Sequence, residues 1–330
     1  MSNSKAILAT LLLVSVLISG CGGVRRGTDR PSPVYDAHSG TQGLEMRLVP
    51  NYPPARVYYS LYNPPNQDGY QNPITVMAEL WNRGAYDIEY GQVYLSGFDS
   101  SIIQFAEGNV YSFAPLEGKT SFNPEGGYTT VEFKGNVPAG ALPEGMDHYL
   151  AKMVLQSCYE YQTEANPLVC VDPQPYSTIQ DKACTAQTST MGKGAGGGQG
   201  APIAVTAVEE EATANMLYFR IRISNSGGGI ALSPGSLPNC PFHLEYNDLN
   251  RIEYDVRLGG MGAGAGAPVK CEPSEEGGNV VRLIDGHATV YCTFNMPTGE
   301  YSAYETPLQI TLRYGYKKGM ERTVEIRNID

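Results

Sequence analysis

The sequence predicts an all-β protein made of two antiparallel β-sandwich domains, on three observations. Residues 74–80 and 217–223 alternate apolar and polar side chains with the period of two that half-buried strands show. Residues that favour strands are frequent, and 23 of the 330 residues are tyrosine. Short strand-like segments are separated by Gly, Pro and Asn, whereas helical periodicity is limited to two short candidates at 139–146 and 177–183.

The first segment of the chain has the pattern of a signal peptide at residues 1–20. One cation, Lys5, precedes an apolar run of about 13 residues, which is shorter than the roughly 20 that a membrane-spanning helix needs. The run ends in Leu-Ile-Ser-Gly-Cys at 17–21, which resembles the lipobox of prokaryotic lipoproteins and implies cleavage before Cys21 and acylation of its thiol. The alternative is a short N-terminal membrane anchor with an incidental cysteine. Residues 21–54, rich in Gly, Pro, Ser and Arg, are predicted to form a flexible tether.

Two bodies with the same order of elements are predicted to follow the tether. In each, an alternating strand leads into an Asn-x-Gly turn, which begins at Asn82 in the first body and at Asn225 in the second. Further matches are strands at 130–133 and 289–292, and final hairpins at 149–161 with 168–171 and at 308–316 with 323–326. We therefore predict a sandwich domain at 55–184, a Gly-rich linker at 185–202 and a second sandwich domain at 203–330, each with its own core.

The charge of the chain argues against nucleic acid as a partner. It has 34 Asp and Glu against 23 Lys and Arg, and loss of residues 1–20 changes the formal net charge from −11 to −12 because only Lys5 is removed. A field of this sign repels a polyanion, and no stripe of Lys and Arg with interleaved aromatic residues opposes it. Arg25, Arg26 and Arg30 follow the predicted anchor, where they either contact anionic lipid head groups or keep the tether soluble.

The seven cysteines indicate an oxidising compartment. If Cys21 is acylated, an even set of six disulfide candidates remains: Cys158, Cys170, Cys184, Cys240, Cys271 and Cys292. We favour Cys158 with Cys170, because they flank a turn-like Glu-Ala-Asn-Pro sequence, and Cys271 with Cys292. A bridge between the two domains, from Cys184 to Cys240, then follows by elimination.

No residue set in the sequence carries a recognisable reaction, so we predict that the protein is not an enzyme and has no catalytic, cofactor-binding or metal-binding residues. The four histidines lack metal-ligand spacing, and no G-x-S-x-G turn occurs. Gly118-Lys119-Thr120 ends like a phosphate-binding loop, but Phe113 occupies the position of the first glycine of that motif.

Two kinds of surface feature remain as binding candidates. Acidic residues cluster at 209–211, at 248–255 and at 272–276, where they either bind structural Ca²⁺ or form a solvated face. Tyrosines cluster at 58–62 and 86–94, where they either form an amphipathic contact surface for proteins or sugars or fill half-buried strand positions.

The repeated pattern of an alternating strand, an Asn-x-Gly turn and a following strand resembles Ig-like domains of the cell-adhesion-related (CARDB) type, which recur in archaeal surface proteins. Over roughly 70–180 and 203–326, the chain is similar to archaeal-type surface lipoproteins with two such domains. The resemblance implies two Ig-like sandwiches in the cell envelope and carries over no catalytic residue.

From these features we predict a lipid-anchored structural or binding protein on the extracytoplasmic face of the cell membrane. Its expected partners are other envelope proteins or a surface polymer, besides the membrane itself through Cys21. The alternatives are an extracytoplasmic solute-binding lipoprotein and a secreted hydrolase whose site is dispersed along the sequence.

Overall fold

The computed structural model describes residues 37–178, 181–186, 189–190, 199–213, 215–259, 267–275, 278–296 and 302–330. The predicted signal peptide, Cys21 and the first part of the tether lie outside these residues. The described part contains nineteen β-strands and two single-turn 3-10 helices, Leu237–Asn239 and Tyr246–Asp248, which confirms the predicted all-β class. Residues 139–146, a helix candidate in the sequence, form turns because Pro143 and Gly145 interrupt the segment, whereas part of the other candidate, 177–183, lies outside the described residues.

The strands divide between the two halves of the chain. The N-terminal half contains β1 (Leu44–Leu48), β2 (Arg56–Tyr59), β3 (Pro73–Asn82), β4 (Gly91–Ser96), β5 (Gln104–Phe105), β6 (Val110–Phe113), β7 (Tyr128–Asn136), β8 (His148–Ala165) and β9 (Leu168–Val171). The C-terminal half contains β10 (Ser189–Thr190), β11 (Ile203–Ala212), β12 (Met216–Asn225), β13 (Ile230–Leu232), β14 (Arg251–Leu258), β15 (Ala267–Pro268), β16 (Lys270–Glu272), β17 (Val280–Arg282), β18 (His287–Asn295) and β19 (Tyr304–Asn328).

These strands form three sheets. The N-sheet has the order β1-β3-β7-β5, and the C-sheet has the order β10-β11-β12-β18-β16. The central sheet has ten strands, six of them in the order β15-β14-β19-β8-β4-β6. Of the other four, β2, β9 and β13 pair with β19, and β17 pairs with β14. The two alternating segments found in the sequence lie in β3 and β12, whose inward residues are buried and whose outward residues are partly or fully exposed.

The two halves share the central sheet through one long strand pair. β19 runs for 25 residues and pairs antiparallel with β8 over eighteen residue pairs, from Ile310 opposite Ala165 to Arg327 opposite His148. The predicted final hairpins are therefore wrong. Gly319, which lies between the predicted strands 308–316 and 323–326, is within the ladder opposite Gln156, and β9 continues in line with β8 along β19.

The expectation of two separate cores is also corrected. Residues 36–330 form one compact unit, and a single cluster of buried apolar side chains extends from Leu44 to Ile326 through all three sheets. The reason is the shared sheet: a strand of 25 residues is long enough to lie under both the N-sheet and the C-sheet. A second, small core lies under the segment that follows β13, around Tyr94, Leu232 and Leu237.

All six predicted disulfide candidates are paired, but two of the three favoured pairings are wrong. Cys271–Cys292 is confirmed across neighbouring strands β16 and β18. The other bonds are Cys158–Cys240, between the two halves, and Cys170–Cys184. Cys158 and Cys170 cannot meet because β8 and β9 lie end to end, which places these residues about 40 Å apart along β19.

Two strands lie inside segments that the sequence analysis assigned to connections. β1 belongs to the predicted tether, yet it alternates apolar and charged residues and pairs with β3 along its whole length. β10 belongs to the predicted linker and pairs with β11 at the edge of the C-sheet. Of the linker, residues 187–188 and 191–198 lie outside the described part of the chain.

Candidate functional site

Four buried tyrosines lie at the centre of the molecule, where β8 pairs with β19. Tyr161 lies opposite Tyr314, and Tyr159 lies opposite Tyr316. Neighbouring ring centroids around the cluster are 5.8, 5.9, 6.2 and 6.3 Å apart, within the range in which tilted and edge-to-face aromatic pairs attract. We call these four residues the tyrosine quartet.

The first quartet tyrosine of each strand, Tyr159 in β8 and Tyr314 in β19, contacts the start of a strand in one of the other two sheets. The backbone N–H of Leu44 in β1 donates to the Tyr159 hydroxyl at 3.1 Å. The N–H of Ile203 in β11 lies 3.4 Å from the Tyr314 hydroxyl in the same arrangement. Both tyrosines point to the same face of the central sheet, because residues 159 and 161, or 314 and 316, are two apart on a strand. The N-sheet and the C-sheet therefore pack on the same face of the central sheet.

Tyr316, the second quartet tyrosine of β19, binds the Asn-x-Gly turn of the C-terminal half. The Tyr316 hydroxyl donates to Asn225 Oδ1 at 2.8 Å and accepts the Gly229 N–H at 2.8 Å. Asn225 Nδ2 in turn donates to the Gly229 carbonyl at 2.9 Å. Asn225 Oδ1 also accepts the Gly227 N–H at 3.3 Å, so one asparagine and one tyrosine side chain fix the turn through four hydrogen bonds.

The N-terminal half repeats this arrangement. The Tyr86 N–H donates to the Tyr161 hydroxyl at 3.3 Å, and Asn82 Nδ2 donates to the Tyr86 carbonyl at 2.8 Å. The Tyr161 hydroxyl also lies 3.5 Å from Asn82 Oδ1. The internal repeat predicted from the Asn-x-Gly turns is therefore present as the same local structure in both halves. The Tyr-x-Tyr sequences at 159–161 and 314–316 are the signal that sequence reasoning missed.

Each Asn-x-Gly turn requires its glycine, because a quartet hydroxyl lies very close to Gly84 in one turn and to Gly227 in the other. A Cβ at Gly84 would clash with the Tyr161 hydroxyl and would lie 2.6 Å and 2.5 Å from the carbonyl oxygens of Gln42 and Gly200. A Cβ at Gly227 would lie 2.5 Å from the Tyr316 hydroxyl. These distances are shorter than carbon and oxygen atoms tolerate, so only glycine fits without a shift of the turn.

The quartet hydroxyls stay protonated. Burial raises the pKa of Tyr316 and of Tyr161, and raises the pKa of Tyr159 and Tyr314 well above the ordinary value. A neutral hydroxyl both accepts and donates, as Tyr316 does here. The quartet therefore joins the two halves through buried, neutral hydrogen-bonding groups.

A small pocket opens beside the quartet on the N-terminal side, and we call it the junction pocket. Its volume is about 180 Å³. It is lined by Tyr86, Asp87, Glu89, Glu160, Tyr161, Gln162, Pro234, Arg313 and Tyr314. Three carboxylates face one guanidinium, and the Tyr86 ring, 39% exposed, forms part of the rim. The pocket therefore offers an acidic and aromatic surface.

The junction pocket exists because the two halves diverge directly after their matched turns. In the C-terminal half, β13 follows the turn and pairs with β19, with Ile230 opposite Lys317 and Leu232 opposite Gly315. In the N-terminal half, Ile88 follows the turn and pairs instead with Leu116 through two hydrogen bonds of 2.9 Å.

This divergence leaves one edge of β8 open. β4 reaches along β8 only to the pair of Gly91 with Tyr159, and no described strand pairs with this side of β8 beyond that residue. We call residues 160–164 on this side the open edge of β8.

The direction of the backbone groups follows from the hydrogen bonds to β19. The carbonyls of Asp147 and Pro167 accept N–H groups of β19, and both are odd-numbered residues. Because bonding alternates along an antiparallel strand, even-numbered residues direct their N–H and C=O away from β19. Gln162 and Glu164 therefore present these groups at the open edge.

The junction pocket and the open edge together offer groups that bind ligands: carboxylates, an exposed aromatic ring and main-chain donors and acceptors.

The tyrosine clusters predicted as contact surfaces do not form one surface. Tyr58 and Tyr62 are exposed, but Tyr59 between them is buried. In the second cluster, Tyr86 and Tyr90 are exposed and Tyr94 is buried in the small core. Strand alternation in β2 separates Tyr58 from Tyr59, and in the second cluster Tyr86 and Tyr90 precede β4, whereas Tyr94 lies within it. Of the predicted tyrosines, only Tyr86 lines the junction pocket.

Members of each predicted acidic cluster bind within the protein, Glu275 of the third through an ion pair with Arg251, whereas Glu276 lies outside the described residues. Glu209 forms ion pairs with Arg220 at 3.0 Å and Arg222 at 2.5 Å on the outer face of the C-sheet. Asp248 accepts the Glu245 N–H and the Ser236 hydroxyl, which lower its pKa. Among the residues that the structure describes, no group of three or more His, Cys, Asp and Glu side chains is arranged to hold a metal ion.

Glu210 differs from its neighbours because it points inward. Both of its carboxylate oxygens accept the Cys170 N–H at 3.0 Å, next to the Cys170–Cys184 disulfide. Burial raises the pKa of Glu210 to about 7, and nearby Glu305 acts in the same direction. The charge of this carboxylate therefore changes near neutral pH.

No helix within the described ranges is long and apolar enough to cross a bilayer.

Comparisons with known proteins identify no relative of this chain. The chain matches no model of a known protein family, and no curated protein matches it.

Proposed function

We propose that this chain is a lipid-anchored binding protein of the cell envelope. It is acylated at Cys21, and it contacts another envelope protein or a surface polymer from the extracytoplasmic face of the membrane. Its two halves are β-sandwiches of Ig-like, cell-adhesion-related type, joined through the central sheet. The proposal assigns no catalytic residue.

The cysteines support the proposed location. The three disulfides use all six cysteines other than Cys21, so acylation of Cys21 leaves every bond intact. Such bonds form and persist in oxidising compartments, which include the outside of the cell. The sequence before Cys21 provides the second support, since small residues precede the cysteine at the end of a short apolar run.

The observation that carries the binding role is the junction pocket beside the open edge of β8. Its volume of about 180 Å³ is smaller than the roughly 300–1,000 Å³ of typical small-molecule sites. A single side chain of a macromolecule fits such a volume.

The anchor is tested by fractionation and mass spectrometry. Wild-type protein, expressed in a host that processes lipoproteins, is expected in the membrane fraction with an acyl mass on the N-terminal peptide of the mature chain. Cys21→Ala is expected in the soluble extracytoplasmic fraction. The matched control is Ser2→Ala, which changes the predicted signal peptide far from the cleavage site and should fractionate as wild type. Membrane-bound wild-type protein without an acyl group on Cys21 would contradict the proposal.

The binding role is tested by photocrosslinking in the native envelope. A photoreactive phenylalanine derivative replaces Tyr86 at the pocket rim, or Tyr128 on the outer face of the N-sheet as a control of similar exposure. We expect an adduct of defined mass from position 86 and none from position 128. Identical patterns from both positions, or no adduct from position 86, would contradict a contact role for the junction pocket.

A further inference from the structure

We infer that the open edge of β8 takes an extended segment of a partner polypeptide as an added β-strand, with a lysine or arginine side chain of that segment in the junction pocket. The inference rests on the proposed function and names the class of partner. Three independent observations lead to it: the internal repeat, the charge of the pocket and its size.

The internal repeat identifies the kind of occupant. The two Asn-x-Gly turns make matching contacts with Tyr161 and Tyr316, so the edge of β8 beside Tyr161 is equivalent to the edge of β19 beside Tyr316. In the C-terminal half, this position is filled by β13, which pairs with β19 over three residues. In the N-terminal half, the corresponding segment pairs with Leu116 and forms no ladder with β8, although Asp87 and Glu89 line the junction pocket beside Glu160. The backbone groups left for an added strand are therefore those of Gln162 and Glu164. The protein thus shows, in its own second half, that an extended strand fits this place.

The open backbone groups supply the main-chain part of the interaction. Gln162 and Glu164 direct their N–H and C=O groups to the open side, as argued above from the hydrogen bonds of Asp147 and Pro167. A strand added there would satisfy these groups in the way that edge strands bind peptides in general. Gln162 also lines the junction pocket, so strand pairing and pocket occupation are adjacent.

The charge of the pocket selects a basic side chain. Asp87, Glu89 and Glu160 line it and are exposed. The one cation of the lining, Arg313, lies 3.6 Å from Glu253 and is thereby partly neutralised. An ammonium or guanidinium group that enters the pocket would meet these carboxylates and the Tyr86 ring, which attracts cations over its face.

The size of the pocket limits what enters it. About 180 Å³ suits one long side chain and is too small for a drug-sized ligand. The remaining affinity must come from the main chain along the open edge, which a polypeptide provides and a polysaccharide does not.

The test uses hydrogen exchange on the full mature chain with a defined peptide probe. The probe is acetyl-Thr-Lys-Ile-Lys-Thr-amide, which is short, basic and prone to extended structure. At millimolar concentration it is expected to slow exchange of the amides at 160–165 and to leave the amides of β13 unchanged. The same peptide with glutamate in place of lysine, and the same peptide with N-methyl groups on its central amides, are expected to give no protection.

Variants locate the effect. Gln162→Pro removes one outward N–H and should weaken binding of the probe about tenfold. Because proline can disturb the strand, Glu160→Lys provides a second variant that leaves the backbone intact and should weaken binding by reversing the charge of the pocket. The matched control is Glu132→Lys, an exposed residue of β7 on the N-sheet, which makes the same charge change away from the site and should bind the probe as wild type.

Several results would overturn the inference. Equal protection by the N-methylated peptide would exclude strand addition, and equal protection by the glutamate peptide would exclude a basic partner. Protection of 160–165 by a soluble oligosaccharide such as cellohexaose, but not by the peptide, would assign a sugar ligand instead. If position 86 still crosslinks in the envelope while the peptide gives no protection, the binding role stands and strand addition is wrong. If both fail, the proposed function fails as well.

Discussion

Glu210 couples the stability of the fold to pH through a single half-buried carboxylate. Burial raises its pKa to about 7 in the folded protein, whereas in the unfolded chain the group has the ordinary value of about 4.3. Between these values the folded state binds more protons than the unfolded state. The free energy of unfolding therefore falls as the pH rises through this window and stays constant above it.

We expect this fall to be smaller in Glu210→Gln, which keeps an acceptor for the Cys170 N–H but does not ionise. The measurement is urea unfolding at intervals from about pH 4 to about pH 8. Glu211→Gln is the control, since Glu211 is the exposed neighbour on the same strand and should follow wild type. Parallel curves for wild type and Glu210→Gln would show that another group is responsible.

The Tyr316 hydroxyl is expected to stabilise the fold more than an exposed tyrosine hydroxyl. Tyr316→Phe removes the acceptor of the Gly229 N–H and the donor to Asn225 while keeping the ring. Because these polar groups then lose a partner in a half-buried turn, we expect a loss of about 1–3 kcal/mol in the free energy of unfolding. Tyr62→Phe, at a residue that is 83% exposed, should change it by less than about 0.5 kcal/mol. Urea unfolding of both variants makes the comparison, and equal losses would contradict the role of Tyr316.

At the scale of elements, the Asn-x-Gly turns depend on close contact with the quartet. Gly84→Ala places a methyl group against the Tyr161 hydroxyl and two carbonyl oxygens. We expect a loss of about 1–3 kcal/mol from the shift that follows. Gly278→Ala is the matched control, because its Cβ would lie 3.8 Å from the nearest atoms. Thermal unfolding compares the two, and a tolerated Gly84→Ala would mean that the turn moves freely relative to β8.

Strand periodicity was a good guide to single elements and a poor guide to their limits. The alternation at 74–80 and 217–223 predicted β3 and β12 correctly, because one face of each strand is buried. The same alternation at 44–48 indicates β1, but the surrounding Gly and Pro led to its assignment as tether. The last segment is predicted as two strands, 308–316 and 323–326, whereas long-range pairing with β8 holds the whole segment in one continuous strand.

At the scale of the whole molecule, the shared strand pair makes the two halves interdependent. β8 and β19 contribute eighteen residue pairs to each other, and the quartet takes two tyrosines from each strand. Neither half has a complete core without the other. We therefore expect the full chain to unfold in a single cooperative transition, observed by calorimetry and circular dichroism together.

The same argument predicts that residues 37–186 and 199–330, produced separately, lack the near-ultraviolet circular dichroism of the full chain. Mixing them is the control, since the two pieces together restore every strand pair except that of β10 with β11, because β10 lies in the omitted segment. Two separate transitions in the full chain, each matching one isolated piece, would show that the halves fold independently.

The sequence by itself determined the fold class, the internal repeat and the even set of cysteines. These properties are local: alternation reports burial of one strand face, an Asn-x-Gly turn is made by neighbouring residues, and a count needs no geometry. Only the tertiary structure decided the disulfide partners, the single core, the tyrosine quartet and the open edge of β8. Each of these depends on which distant strands pair, as Cys158 with Cys240 and Tyr161 with Tyr314 show. Strand pairing is a choice among many long-range alternatives with similar local patterns, and it is settled by the burial that the whole chain achieves together.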